Sequence, residues 1–464
     1  SHALICRITA KKQEGPDCYQ ADLRRLIAMN HYKEFFRYVL PSMLAFALSG
    51  VYAIADGFFV GNALGDDALA AINIAYPLTA FLQATGTGIG MGGAIQYAIS
   101  TGRKEQEKAR QYFGMSLILL AFFGVFLTAV TLLAAPAILP AFGASGSVLS
   151  LGLEYIRYVA LGAVFQIAGT GFVPFIRNMG GAVSAMISMA AGFVTNICLD
   201  YLFVWVLPYG MMGAAVATVL GQGVTFLVCL LFLATRKMSP SFHFSGKQLI
   251  LAKRILQVGL SPFGLTFSPN ITLILINKSA SVLGGSPAVT AYATVSYISC
   301  VVMLLLQGVS DGCQPLLSLY YGKGDGERTK AVCRLAYAFS LATGLFCMAF
   351  LFIFRYQAAG LFGSSQQITE EVARILPIFI VGFLFICISR VTTAYFYATE
   401  KNLSAYLVIY GEPLSLAVFL LFLPKLFEEV VMGTWVSVPA SQFFAAAVCV
   451  LLLFYPKKRL SPVS

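Results

Sequence analysis

The sequence predicts an all-α polytopic membrane protein, with twelve transmembrane helices in two six-helix lobes that form a parallel internal repeat. Three observations carry this. The 464-residue chain is 58% hydrophobic and only 11% charged, with a mean hydropathy of +0.80, whereas soluble proteins carry about 25% charged residues. Apolar runs long enough to cross a bilayer, about 20 residues each, recur along most of its length. Landmarks of the first half also return in the second at an offset near 220 residues.

The first run, near 36–62, follows a polar N-terminal segment of mixed charge that lacks the pattern of a signal peptide. That segment does not begin with Met and reads as trimmed or tagged. Spans 2 and 3, near 68–101 and 108–137, are separated by the charged stretch TGRKEQEKA, and span 4 is expected near 150–177. Before span 4 comes GASGS (143–147), which composition reads as a Ser/Gly turn. Spans 5 and 6, near 183–207 and 211–235, flank Pro208, and a linker containing MSPSFHFSGK follows. The second half repeats the plan near 252–283, 287–321, 329–355, 370–398, 402–424 and 431–455. The expected organisation is an N-terminal segment 1–34, an N-lobe 35–235, a linker 236–250, a C-lobe 251–456 and a tail 457–464.

Charge orients these spans. Of the 31 Lys and Arg residues, 25 fall in the termini, the even-numbered loops and the linker, Arg177 and Arg37 among them. By the positive-inside rule both termini are then cytoplasmic. This also accounts for the net charge of +11 without nucleic acid as a partner. The repeat is visible in single residues: Gly88, Gly92 and Gly102 return as Gly308, Gly312 and Gly322, Gly162 as Gly382, and Gly213 as Gly433. Six spans per repeat is an even number, so both halves enter the membrane the same way round, as in secondary transporters with parallel repeats. The G-x-x-x-G spacings of spans 2 and 8 predict close helix packing rather than a phosphate cradle, for no Lys-Ser/Thr follows them. Ten cysteines without zinc-type spacing behave as small apolar residues, and Trp205 and Trp435 suit an interfacial belt.

An ionisable residue inside a span is costly and points to function. Asp56 stands about 15 Å below the outer end of span 1, Asp200 about 12 Å deep in span 5, and Thr218 about 10 Å into span 6. Asn196 precedes Asp200 by four residues and shares its helix face. No basic residue lies at this depth in the first six spans. Two uncompensated acids in an apolar setting can share a proton, or with Asn and Thr oxygens hold a small hard cation such as Na⁺. The second half has Ile276 or Asn277 opposite Asp56, so this feature is not duplicated. A second group, Asp311, Arg390 and Glu412, lies about 15 Å from the cytoplasmic end of the C-lobe. Its mixed charge predicts a neutralising structural network, since buried charges are normally paired. Lys278 is expected to snorkel, and Glu154 with Arg157 to form a local pair.

The stretches DGFFVGNALG, FIRNMG and NICLDYLFVWVLPYGMMGAAVATVLGQ in the first half, with SDGCQPLLSLYYG and GTWVSVPASQF in the second, resemble the multidrug and toxic compound extrusion (MATE) family. They are closest to its MepA-like bacterial branch, and the resemblance runs from about Tyr32 onward. It implies two lobes around a central cleft, alternating access, and export of cationic, often aromatic drugs in exchange for H⁺ or Na⁺, hence drug resistance. It also implies a cation-coupling site at Asp56, Asn196, Asp200 and Thr218, and a helix-1 bend at Pro41. The chain departs from family patterns at Asn270, where some relatives have an acid, and at NMGGAVS after span 4.

No cofactor is expected beyond the coupling ion. The expected partners are the lipid bilayer and a small organic cation, and the expected setting is the bacterial inner membrane, with the chain as a monomer. A lipid-linked oligosaccharide flippase of the same superfamily is the nearest alternative and would show a cationic cleft. A channel would show no counterflow. An intramembrane enzyme is a more distant alternative, disfavoured because His2, His31 and His243 all lie in polar flanks or the linker, away from any base or metal cluster inside the spans.

Overall fold

In the computed structural model, residues 16–244, 246–360 and 366–454 are described, with side chains from residue 31. His2, Cys6 and the tail 457–464 lie outside the described residues. Helices are numbered α1–α12 by span. α1 is Pro16–Leu64, α2 Asp66–Gly102, α3 Gln106–Ala141 and α6 Gly210–Thr235. α9 is Gly326–Ile353, α10 Gln366–Ala398, α11 Asn402–Phe422 and α12 Val430–Phe454. Ten helices among the described residues are long and apolar enough to cross a membrane, and a bent pair supplies one more. One of the ten, Gln248–Gly322, is 75 residues long and comprises two spans, α7 and α8, which brings the spans to twelve.

Where the chain departs from straight helices, local causes are visible. α7 and α8 part at Gly285, whose φ of 66° and ψ of −162° are open to glycine and strained for residues with a Cβ. Pro287 follows and lacks the N–H that a continuous helix needs. α4 consists of Gly146–Leu161 and Ala163–Asn178, bent by 58° around Gly162. α5, Ala182–Asp200, widens immediately after Asp200 into a π-helical stretch, Tyr201–Val206. α1 starts some twenty residues before the expected span and remains helical through Pro41.

One end of the bundle collects the α2–α3, α4–α5, α8–α9 and α10–α11 turns and the 236–247 linker. We call it the basic face, and the opposite end the far face. The lobes meet toward the basic face, and the repeated glycines are the contact points. A Cβ on Gly92 would stand 2.3 Å from the Ile255 carbonyl oxygen of α7, and one on Gly308 would stand 2.5 Å from the Met43 Cα of α1. The G-x-x-x-G spacings therefore serve close packing, as expected, and they do so between lobes. One apolar cluster fills the N-lobe and another the C-lobe. A third joins Phe35, Val39, Met91 and Ile95 to Val309, Cys313 and Leu316 across the lobe boundary.

Two local expectations are corrected. Trp435 is 1% exposed and stacks on Tyr292 at 5.8 Å, deep in the C-lobe rather than in an interfacial belt. Trp205 is 49% exposed. Glu154 does not pair with Arg157 among the described residues; it accepts a hydrogen bond from the Met212 amide at 3.2 Å, tying α4 to the start of α6.

Candidate functional site

The four residues grouped by depth lie on three helices that pack together: α1 (Asp56), α5 (Asn196, Asp200) and α6 (Thr218). Asn196 and Asp200 are 2% and 0% exposed, four residues apart on the face of α5 turned toward α6 and α1. Asn196 Nδ2 reaches Thr218 Oγ1 at 3.5 Å, and Thr218 donates in turn to the Ala214 carbonyl at 3.1 Å. The carboxyl groups of Asp56 and Asp200 face each other across the α1–α5 contact. A direct bond between them would require a proton on one, because an ionised carboxylate only accepts.

Two side chains absent from the sequence-based expectation complete the site. The hydroxyls of Tyr52 and Tyr155 come up against Thr218 and face both carboxylates. Tyr52 stands one turn before Asp56 on α1 and stacks on Phe193 of α5 at 5.1 Å with ring planes 9° apart. Tyr155 is brought in by α4 and is 6% exposed. Toward the far face, Phe58 and Phe59 pack around Trp205 of the π-helical stretch. Of these, Tyr52 could have been found from its i−4 spacing to Asp56.

The site is rich in oxygen acceptors. Both carboxylate oxygens of Asp200 and Oδ1 of Asn196 are buried without a hydrogen-bond partner. Leaving such acceptors unsatisfied costs about 1–3 kcal/mol each. No Lys or Arg forms an ion pair with Asp56 or Asp200 among the described residues. Nor does any group of three or more His, Cys, Asp or Glu side chains converge there. A metal ion would thus rely on two carboxylates plus amide and hydroxyl oxygens, a set suited to Na⁺ rather than to a transition metal.

The second charged group is arranged differently from the expectation. Asp311, Arg390 and Glu412 were expected to form a network within the C-lobe. Instead, the close partner of Asp311 is Arg177 of the N-lobe, with Nη1 3.3 Å from Oδ2 and both side chains buried. Arg390 acts on Asp311 and Glu412 through its charge but closes on neither. The physical reason lies in the lobe contact. Arg177 reads as a loop cation at the end of span 4, but α4 delivers its side chain into the α8 surface, where only an acid can compensate it. Next to this pair, Asn178 and Gln314 exchange hydrogen bonds at 2.9 and 3.2 Å.

Comparison with known proteins agrees with this architecture. The family model MatE matches residues 41–202 and again 262–418, once in each half. The chain is 25% identical over 429 residues to a probable multidrug resistance protein, YoeA, of Bacillus subtilis, covering 90% of this chain and 91% of that one. It is 24% identical over 379 residues to the multidrug export protein MepA of Staphylococcus saprophyticus, covering 81% and 83%. Among solved structures, a MOP superfamily transporter from Pyrococcus furiosus superposes with a TM-score of 0.86 at 25% identity, covering 91% of this chain and 95% of that one. The reversed polarity of that protein's binding pocket is taken to suggest a different function for it. With both halves matched, the chain belongs to the MATE family, a family of multi-pass membrane transporters rather than enzymes.

Proposed function

We propose that the chain is a secondary antiporter that exports small organic cations in exchange for H⁺ or Na⁺ taken up at Asp56 and Asp200. One observation carries this reading: two facing carboxylates with no basic partner among the described residues, one of them fully buried, beside an unpartnered amide oxygen. Buried charges are otherwise paired or removed, so a site kept acidic within the bundle serves an exchangeable cation. Of the two ions the proton is the simpler, since two facing acids share one without further ligands. Asn196 and Thr218 supply the additional oxygens that Na⁺ would need.

In this reading the basic face is cytoplasmic, the membrane is the bacterial inner membrane, and the functional unit is the monomer. Ion binding draws α1 and α5 together through Asp56 and Asp200, which biases one of the two alternating arrangements of the lobes. The flippase alternative expects a cationic cleft, and the acidity of the α1–α5 site counts against it. The test is efflux of a cationic dye from proteoliposomes with pH and Na⁺ gradients imposed separately. Wild-type protein is expected to respond to one gradient and Asp56→Asn to neither; undiminished gradient-driven efflux in that variant sinks the coupling role.

A further inference from the structure

Four charged side chains lie near the lobe boundary, Arg177 and Asp311 buried and Arg390 and Glu412 half-buried, two acids to two bases. Asp311 and Glu412 bring two negative charges on the C-lobe side, and Arg390 is the one C-lobe cation that acts on both. The fourth member, Arg177, belongs to the other lobe. When the lobes part at the basic face, α4 carries Arg177 away and leaves α8, α10 and α11 with two acids and one base. Asp311 is the acid uncovered. Gln307, one turn earlier on the same helix, donates to its Oδ1 at 2.6 Å and keeps the carboxylate in position.

Arg177 presents Asp311 with a planar, delocalised cation. Its Nη1 also reaches the Asp311 carbonyl at 3.4 Å, its guanidinium carbon lies 5.9 Å from the centre of the Phe46 ring, and its Nε has no partner. An aromatic organic cation offers a similarly spread positive charge that a buried carboxylate and a neighbouring ring can hold.

We propose that Asp311 docks the organic cation while the basic face is open, and that Arg177 takes its place when that face closes. This rests on the reading of the chain as a cation exporter and adds where the cation docks and what displaces it. As the lobes close, the returning guanidinium competes for the carboxylate, and the Asn178–Gln314 hydrogen bonds re-form beside it. The Asp56 site is on the other lobe, so ion and substrate meet different carboxylates.

The test is equilibrium binding of tetraphenylphosphonium, a permanently charged aromatic cation, to the purified full-length chain without any ion gradient. Asp311→Asn is expected to bind at least ten-fold more weakly. Arg177→Gln, which removes the competitor and keeps the acid, is expected to bind at least three-fold more tightly. The double variant Arg177→Gln/Asp311→Asn removes both buried charges together, which spares the fold an unpaired one, and is expected to bind as weakly as Asp311→Asn. If the pair is purely structural, the two single variants move in the same direction; that result, or a double variant that binds like wild type, overturns the proposal. A wild-type chain that binds no probe sinks the exporter reading as well, whereas wild-type binding with parallel changes in the variants sinks this inference alone.

Discussion

At the scale of residues, Asp56 does not act alone. It faces Asp200 across the α1–α5 contact, with the Tyr52 and Tyr155 hydroxyls and Thr218 around the pair. If these hydroxyls orient the carboxyl pair, removing one weakens coupling without abolishing it. Tyr155→Phe removes the hydroxyl that stands against Thr218, and with about 1 kcal/mol for one polar contact the initial rate of gradient-driven efflux is expected to fall about five-fold with the melting temperature held. Asp200→Asn is expected to abolish the gradient response altogether, measured in the same vesicles. The carboxylates and Asn196 were legible in the sequence because helical rise and i,i+4 spacing convert position directly into depth and face. Tyr155 was not, since 22 Tyr and 38 Phe residues offer no periodic mark to separate one cleft hydroxyl from the rest. Arg177 was misread for a physical reason: proximity to a span end says nothing about whether a long side chain turns out to water or in to a partner.

At the scale of elements, the lobe contact toward the basic face has two layers. Glycine-lined helix crossings lie inside, and near the surface Glu400 accepts from Arg254 Nη2 at 2.5 Å and from Gln96 Nε2 at 2.9 Å, with Arg103 3.6 Å away. Gln96 and Arg103 belong to the N-lobe, so Glu400 ties the two lobes, and it does so from a left-handed backbone (φ 60°) that costs a residue with a Cβ free energy. Burial pulls its carboxyl upward, but the Arg254 and Gln96 hydrogen bonds and the neighbouring arginine charges outweigh it and hold it below the ordinary glutamate range. A carboxyl depressed in this way stabilises the closed contact fully above the ordinary value, and that contribution is lost as pH falls through the depressed one. Spin labels placed through Lys104→Cys and Lys323→Cys in a cysteine-free background are therefore expected to show a short distance at neutral and mildly acidic pH that lengthens once the pH falls below the ordinary glutamate range. Glu400→Gln should lengthen the distance at neutral pH and flatten its acid dependence. At the inner layer, Gly92→Ala sets a methyl group against the Ile255 carbonyl and is expected to destabilise the closed bundle by about 1–3 kcal/mol, read as a lower melting temperature. The glycine spacing was legible in the sequence, but the helix it meets was not, because G-x-x-x-G marks a close approach without naming the partner. The bend at Gly162 and the π-helical stretch after Asp200 were also hidden, since both arise from tertiary packing inside uninterrupted apolar runs.

At the scale of the whole molecule, composition and repeat led directly to twelve spans and two lobes. This is because a bilayer leaves a hydrophobic chain of this length few alternatives to a helical bundle. The proposed orientation, with the basic face cytoplasmic, rests on the distribution of Lys and Arg and can be checked in intact cells. A thiol at Lys104→Cys should be labelled by a membrane-impermeant reagent only after permeabilisation, and one at Lys425→Cys, on the far face, before it. The central claim is that cation and drug are linked through the Asp56–Asp200 pair, and the most direct measurement needs no membrane. Tetraphenylphosphonium is added to the purified chain in weakly buffered detergent solution, with released H⁺ and Na⁺ recorded separately. The account predicts that wild-type protein releases one of the two ions on binding, and that Asp56→Asn and Asp200→Asn bind the probe while releasing neither. Equal ion release from wild type and both variants would contradict it.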